Sequence, residues 1–163
     1  MKNSLIFIIT FYLLAFGFSA NAQVYNMTAG TINSCSGNFY DPGGSGANYG
    51  NNVNITETFC SNSSNCIIVT FTAFNTQAGN DILTIYDGPS TASPVIGTFS
   101  GNTSPGAIIS SSGCITFRFV SNGSNTKPGW AATISCGSCG SSYLMNNTSV
   151  ATCSGLFFDS GGS

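Results

Sequence analysis

Residues 115–120 read Ile-Thr-Phe-Arg-Phe-Val, which in an extended chain puts Ile115, Phe117 and Phe119 on one side and Thr116 and Arg118 on the other. That period of two predicts a strand with a core face and a wet face. Seven further runs, at 26–32, 53–60, 67–74, 82–86, 95–99, 107–110 and 130–135, are rich in Val, Ile, Thr and Phe. Turn-forming clusters part them: SNSSN at 61–65, NTQAGN at 75–80, DGPSTASP at 87–94 and SNGSNTKPG at 121–129. No stretch carries a helical period, so the expected fold is all-β, an antiparallel β-sandwich or barrel.

The 163 residues suffice for one domain with extras and not for two complete ones. Residues 1–22 carry Lys2, an apolar run at 5–18 and Ala20-Asn21-Ala22, the layout of a secretory signal peptide cut before Gln23. The apolar run is short for a membrane span, so no membrane insertion is expected after cleavage, and the mature chain is expected to be secreted. It then keeps two cations, Arg118 and Lys127, against five carboxylates, Asp41, Glu57, Asp81, Asp87 and Asp159, a net charge of −3. Two isolated cations give no footprint for nucleic acid. With no histidine, the usual activated nucleophiles and imidazole metal ligands are missing, and no enzyme activity is expected. Asp81 and Asp87, six residues apart across one strand, do not form a glycosidase-like pair. Trp130 is expected in the core, with Tyr40, Tyr49 and Tyr86 as candidates for an exposed face.

Residues 25–45 align without a gap on residues 143–163, with ten of 21 positions identical, among them Tyr25 and Tyr143, Cys35 and Cys153, Phe39 and Phe157, Asp41 and Asp159. The offset is 118 residues. The expected organisation is therefore a module at 23–140, then at 141–163 a linker and the truncated start of a second repeat. Cys153, the counterpart of Cys35, would find its partner beyond Ser163.

An oxidising compartment makes the other six cysteines bridge candidates. If 115–120 and 130–135 form a hairpin through 121–129, Cys114 and Cys136 lie side by side and pair. Cys66 and Cys139 remain as a residual pair. Zinc at Cys136-Gly-Ser-Cys139 would need two more ligands and a reducing compartment.

The segments CSGNFYDPGG at 35–44, TETFC at 56–60, DILTIYDG at 81–88, SPGAIISSSGCITFRFVSNGS at 104–124 and GWAATISC at 129–136 resemble the CUB domain, and the FYDPGG form is similar to modules of large secreted bacterial proteins. The resemblance implies a jelly-roll-like extracellular sandwich and pairing of the first two cysteines, Cys35 with Cys60. The family's usual second bridge has no cysteines here, since Asn80 and Ser100 stand near those places. Many CUB domains hold calcium, and the matching positions are Gln77, Asp81 and Asn122, two amides and one carboxylate. A weak calcium site, or three polar residues tying two loops together, is expected there. Asp87 offers a second carboxylate or a turn cap. Of seven Asn-X-Ser/Thr sequons, at Asn26, Asn54, Asn62, Asn102, Asn122, Asn146 and Asn147, a glycan on Asn122 would exclude that ligand. The resemblance implies a non-catalytic module that binds an extracellular protein or glycan within a tandem-repeat protein. The alternatives are an accessory domain of a secreted enzyme such as a protease, and a passive spacer.

Overall fold

The alternating runs fold into two five-stranded sheets. The computed structural model describes residues 22–63 and 65–139, together with the backbone of two short strands at 143–144 and 157–158. The expected signal peptide at 1–22, all but its last residue, together with Cys153 and the sequons at Asn146 and Asn147, lies outside the described residues. The strands in chain order are β1 (Val24–Asn26), β2 (Gly30–Asn33), β3 (Ser36–Tyr40), β4 (Asn54–Cys60), β5 (Cys66–Asn75), β6 (Ile82–Tyr86), β7 (Val95–Phe99), β8 (Ala107–Ile109), β9 (Cys114–Val120), β10 (Gly129–Gly137), β11 (Tyr143–Leu144) and β12 (Phe157–Phe158). One sheet has the order β1-β3-β10-β5-β8 and the other β2-β4-β9-β6-β7. Their ladders are antiparallel except at one edge of each, where β1 pairs parallel with β3 and β2 with β4.

The stretch expected as one strand at 26–32 is two, because the chain leaves the first sheet after Asn26 and joins the second at Gly30. β3 has no counterpart among the expected runs. Within it, Gly37 (φ +146°) lets the Tyr25 ring lie against the strand, where any Cβ would collide with it.

Between the sheets, β9 contributes Ile115, Phe117 and Phe119, all fully buried, and the sole tryptophan, Trp130, is buried with them. Aromatic rings knit the layers, with Phe39 4.9 Å from Phe59 and 5.1 Å from Phe117, and Phe119 5.1 Å from Trp130, centroid to centroid. The outer face of β9 is not uniformly wet. Arg118 is exposed, but Thr116 is buried and donates to the Gly88 carbonyl at 2.7 Å, which leaves Thr58 as the donor in the 2.8 Å Thr58–Thr116 hydroxyl pair.

The hairpin between β9 and β10 does not exist. β9 is sandwiched between β4 and β6, and β10 between β3 and β5, so the 121–128 connection crosses from one sheet to the other. This overturns the pairing of Cys114 with Cys136, and with it the family-implied pairing of Cys35 with Cys60. Cys114 stands directly opposite Cys60 on β4 and is bridged to it (Cα–Cα 4.1 Å). Cys136 on β10 lies one residue beyond the Ser135–Ser36 pair and is bridged to Cys35 (Cα–Cα 4.9 Å). A third bridge joins Cys66 to Cys139 (Cα–Cα 4.9 Å). Each bridge therefore fastens neighbouring strands within a sheet, and the end of β10 is stapled on both sides.

β11 and β12 pair parallel in the register Tyr143–Phe157 and Leu144–Phe158. β1 and β3 pair parallel in the register Tyr25–Phe39 and Asn26–Tyr40. Each partner in the later pair lies 118 residues after its counterpart in the first.

Candidate functional site

The three residues singled out for calcium come together at one end of the second sheet. Asp81 precedes β6 and is fully buried; its backbone N–H donates to the Gln77 carbonyl at 3.0 Å, and Thr76 Oγ1 donates to its carbonyl at 2.9 Å. One carboxylate oxygen accepts from the Asn122 N–H at 2.8 Å, the other from the Tyr49 hydroxyl at 2.6 Å. Tyr49 in turn accepts from the Gln77 N–H at 3.0 Å. Burial and the Asp81 carboxylate push the Tyr49 phenol well above its ordinary pKa, so it stays a donor throughout the accessible range. Asn122 Oδ1 is used locally, accepting from the Ser124 N–H at 2.9 Å. The family resemblance singled out Gln77, Asp81 and Asn122, which meet through the Gln77 and Asn122 backbones, but not Tyr49, which sits in NYGNN and was expected on an exposed face.

These donors do not fit a calcium ion. The cluster has a single carboxylate with both oxygens engaged, and calcium affinity follows the number of carboxylates. Among the described residues no group of three or more Asp, Glu, His or Cys side chains is placed to hold a metal. Gln77 Oε1, buried without a partner, is the one oxygen left over in the cluster. Asp87 lies at the far end of β6 and accepts from the Ser111 N–H at 2.7 Å, so it latches two loops instead of supplying a second ligand or half of a catalytic pair.

A second feature lies on the outer face of the first sheet, a concavity of ≈ 300 Å³ lined by residues from β3, β5, β10 and two loops. Tyr40 forms part of its lining; of the three tyrosines expected outside, only Tyr40 is half-exposed, Tyr49 and Tyr86 being buried. The dip coincides with a β-bulge. Ala131 faces Ala73 and Ala132 faces Phe71, so Thr72 is the extra residue, its hydroxyl donating to the Ala131 carbonyl at 3.1 Å.

The loops flanking the dip are pinned from below by Asp41. This fully buried carboxylate accepts from the Gly43 N–H at 2.8 Å and the Trp130 N–H at 3.1 Å. Gly129 (φ +72°) packs against it so closely that no Cβ would fit. Asn48 Nδ2 adds a tie across the loops, donating to the Thr126 carbonyl at 3.2 Å. All the residues lining the concavity are uncharged.

Burial pushes the Asp41 carboxyl up to about 6, its hydrogen bonds to Gly43 and Trp130 offsetting only part of that. Burial likewise pushes Glu57, held by Thr28 alone at 3.3 and 3.4 Å, up to about 7. Both values exceed those of the unfolded chain, 3.8 and 4.5, so the folded state keeps protons that the unfolded chain has released. The resulting stabilisation is fully present below about pH 4 and is lost as pH rises through about 6 and about 7. Urea unfolding is expected to show greater stability at pH 5 than at pH 8, and Glu57→Gln is expected to recover about 2 kcal/mol at pH 8 and flatten the profile. A profile that rises from pH 5 to pH 8 would contradict this.

The CUB domain family model matches residues 29–134. Cubilin of Rattus norvegicus is 32% identical over 123 residues and cubilin of Homo sapiens 29% over 119, covering 73% and 71% of this chain. The chain spans 3% of the length of either relative. Among solved structures, the CUB1-EGF-CUB2 region of human MASP-1/3 is similar with a TM-score of 0.58 at 18% identity, covering 69% of this chain and 43% of that one. The MASP-1 CUB2 domain bound to Ca²⁺ is similar with a TM-score of 0.57 at 21% identity, covering 66% of this chain and 98% of that one. The family model covers well over half of the chain, and the two-sheet sandwich agrees with it: the chain belongs to the CUB domain family.

Proposed function

We propose that this chain is an exported, non-catalytic binding module at residues 23–140, preceded by a cleaved signal peptide and followed at 141–163 by the opening strands of a second module. CUB domains are typically extracellular, generally non-catalytic and typically used for protein binding. Among the described residues no helix is long and apolar enough to cross a membrane. The observation that carries the binding reading is the concavity on the first sheet, which is preformed, ligand-sized and lined by uncharged residues. The shared register of β1–β3 and β11–β12 supports the array, whose strength of attachment would come from repetition.

The test is retention of one, two and three linked copies of the module on immobilised collagen, fibronectin, cellulose and chitin. Retention that climbs steeply with copy number is expected, and failure of all three constructions on every surface would sink the proposal. In a longer gene product, Cys153 is expected to pair with a cysteine 118 residues after Cys136, since its counterpart Cys35 pairs with Cys136. Peptide mapping of that product checks it.

A further inference from the structure

We infer that the concavity on the first sheet is a site for a neutral saccharide, one or two pyranose rings of a glycan, with Tyr40 as its stacking wall. This rests on the binding reading above and names the ligand class of that site.

The lining combines two chemistries. Ala73, Ala131 and Pro128 are apolar and small, and Tyr40 adds an aromatic ring, which together match the C–H face of a pyranose. Ser45 and Asn75 add a hydroxyl and an amide, neutral groups that match the hydroxyl edge of the same ring. An apolar side chain from a protein partner would use the first set and strip water from the second without replacing its hydrogen bonds, which disfavours that occupant. No lining residue carries charge, so an anionic or cationic group would be desolvated there without a counter-ion. The volume of ≈ 300 Å³ sits at the small end of ligand pockets, in keeping with one or two rings.

Sugars bind with little energy per atom, so the site must not have to be ordered on binding. Here it is already set. Asp41 fixes the 41–44 turn to the start of β10, Asn48 ties the loops at 48 and 126, and the Thr72 bulge shapes the sheet between Ala73 and Ala131. The side chains that make these ties, Asp41, Asn48 and Thr72, are not among the residues lining the concavity.

Trp130 lines the same concavity and is the only tryptophan in the chain, so its fluorescence reports on occupancy without a label. The module is titrated with the methyl glycosides of glucose, galactose, mannose and N-acetylglucosamine, and with laminarin, xyloglucan and galactomannan. At least one is expected to shift Trp130 emission saturably. Tyr40→Ala is expected to weaken that binding about tenfold or more, as is Ala73→Arg, which fills the dip from an exposed position. Thermal midpoints measured alongside show that both variants remain folded.

If no saccharide shifts the emission, the inference is overturned. It is equally overturned if one binds and neither variant weakens it, which would put the site elsewhere. Should a protein surface instead retain the linked modules in a Tyr40-dependent way while no saccharide binds, the binding function stands and the saccharide assignment falls. Retention on no surface at all removes the function itself.

Discussion

Removing the Cys35–Cys136 bridge by a double substitution to alanine is expected to destabilise the domain by about 4 kcal/mol. The bridge spans 101 residues, which on its own would constrain the unfolded chain by about 4.7 kcal/mol in the chain-entropy account. The other bridges shorten that path. With Cys66–Cys139 intact, the loop that Cys35–Cys136 closes runs from 35 to 66 and from 139 back to 136, roughly 34 residues, which gives about 3.8 kcal/mol. Most of a small domain's stability is of this size, so the variant is expected to unfold at a much lower urea concentration. A loss below about 1 kcal/mol would mean that Cys35 and Cys136 are not joined in the native protein.

Asp81→Ala is expected to cost about 3–5 kcal/mol, although it removes only a few atoms. The buried Tyr49 hydroxyl and the half-buried Asn122 N–H would both lose their acceptor. Asp81→Asn keeps one carbonyl oxygen in the same shape and is expected to cost about 1–2 kcal/mol. The same measurements separate a brace from a metal centre. If Tyr49, Gln77 and Asn122 complete the cluster by hydrogen bonds alone, millimolar calcium is expected to change the stability of the unaltered protein by less than about 1 kcal/mol. Full tolerance of Asp81→Ala, or a calcium-dependent rise of several kcal/mol in the unaltered protein, would contradict the brace.

The short-range pattern carried much of this fold. Alternation in 115–120 located β9 and its core face because a half-buried strand writes its burial directly into every second residue. The same logic placed Trp130 inside. What failed was long-range. Adjacent strands in sequence are adjacent in space often enough to suggest a β9–β10 hairpin, but both strands already have two neighbours, a property of the topology that no local residue encodes. The Cys114–Cys136 pairing failed for that reason, the Cys35–Cys60 pairing had come from the family resemblance, and the expected Cys66–Cys139 bridge is present. Cys35 shows how close the alternatives are: its sulfur lies 3.5 Å from the hydroxyl of Ser61, the residue after Cys60.

Site residues divide similarly. Gln77, Asp81 and Asn122 were legible as a cluster through the family resemblance, while Tyr49 was not, because a tyrosine in a Gly- and Asn-rich loop carries no sign that its hydroxyl turns inward. The concavity was invisible in sequence. It depends on a bulge at Thr72, on Gly129 and on Asp41 reaching across 89 residues to the Trp130 N–H, none of which leaves a periodic trace. Only Tyr40 hinted at it, as one of three aromatic candidates.

Each bridge fastens neighbouring strands inside a sheet, which fixes the two-sheet topology that forms both the Asp81 brace and the concavity. Peptide mapping of the unreduced protein by mass spectrometry tests this most directly. Cross-linked peptides joining Cys35 to Cys136, Cys60 to Cys114 and Cys66 to Cys139 are expected. Peptides joining Cys35 to Cys60 and Cys114 to Cys136 would contradict it.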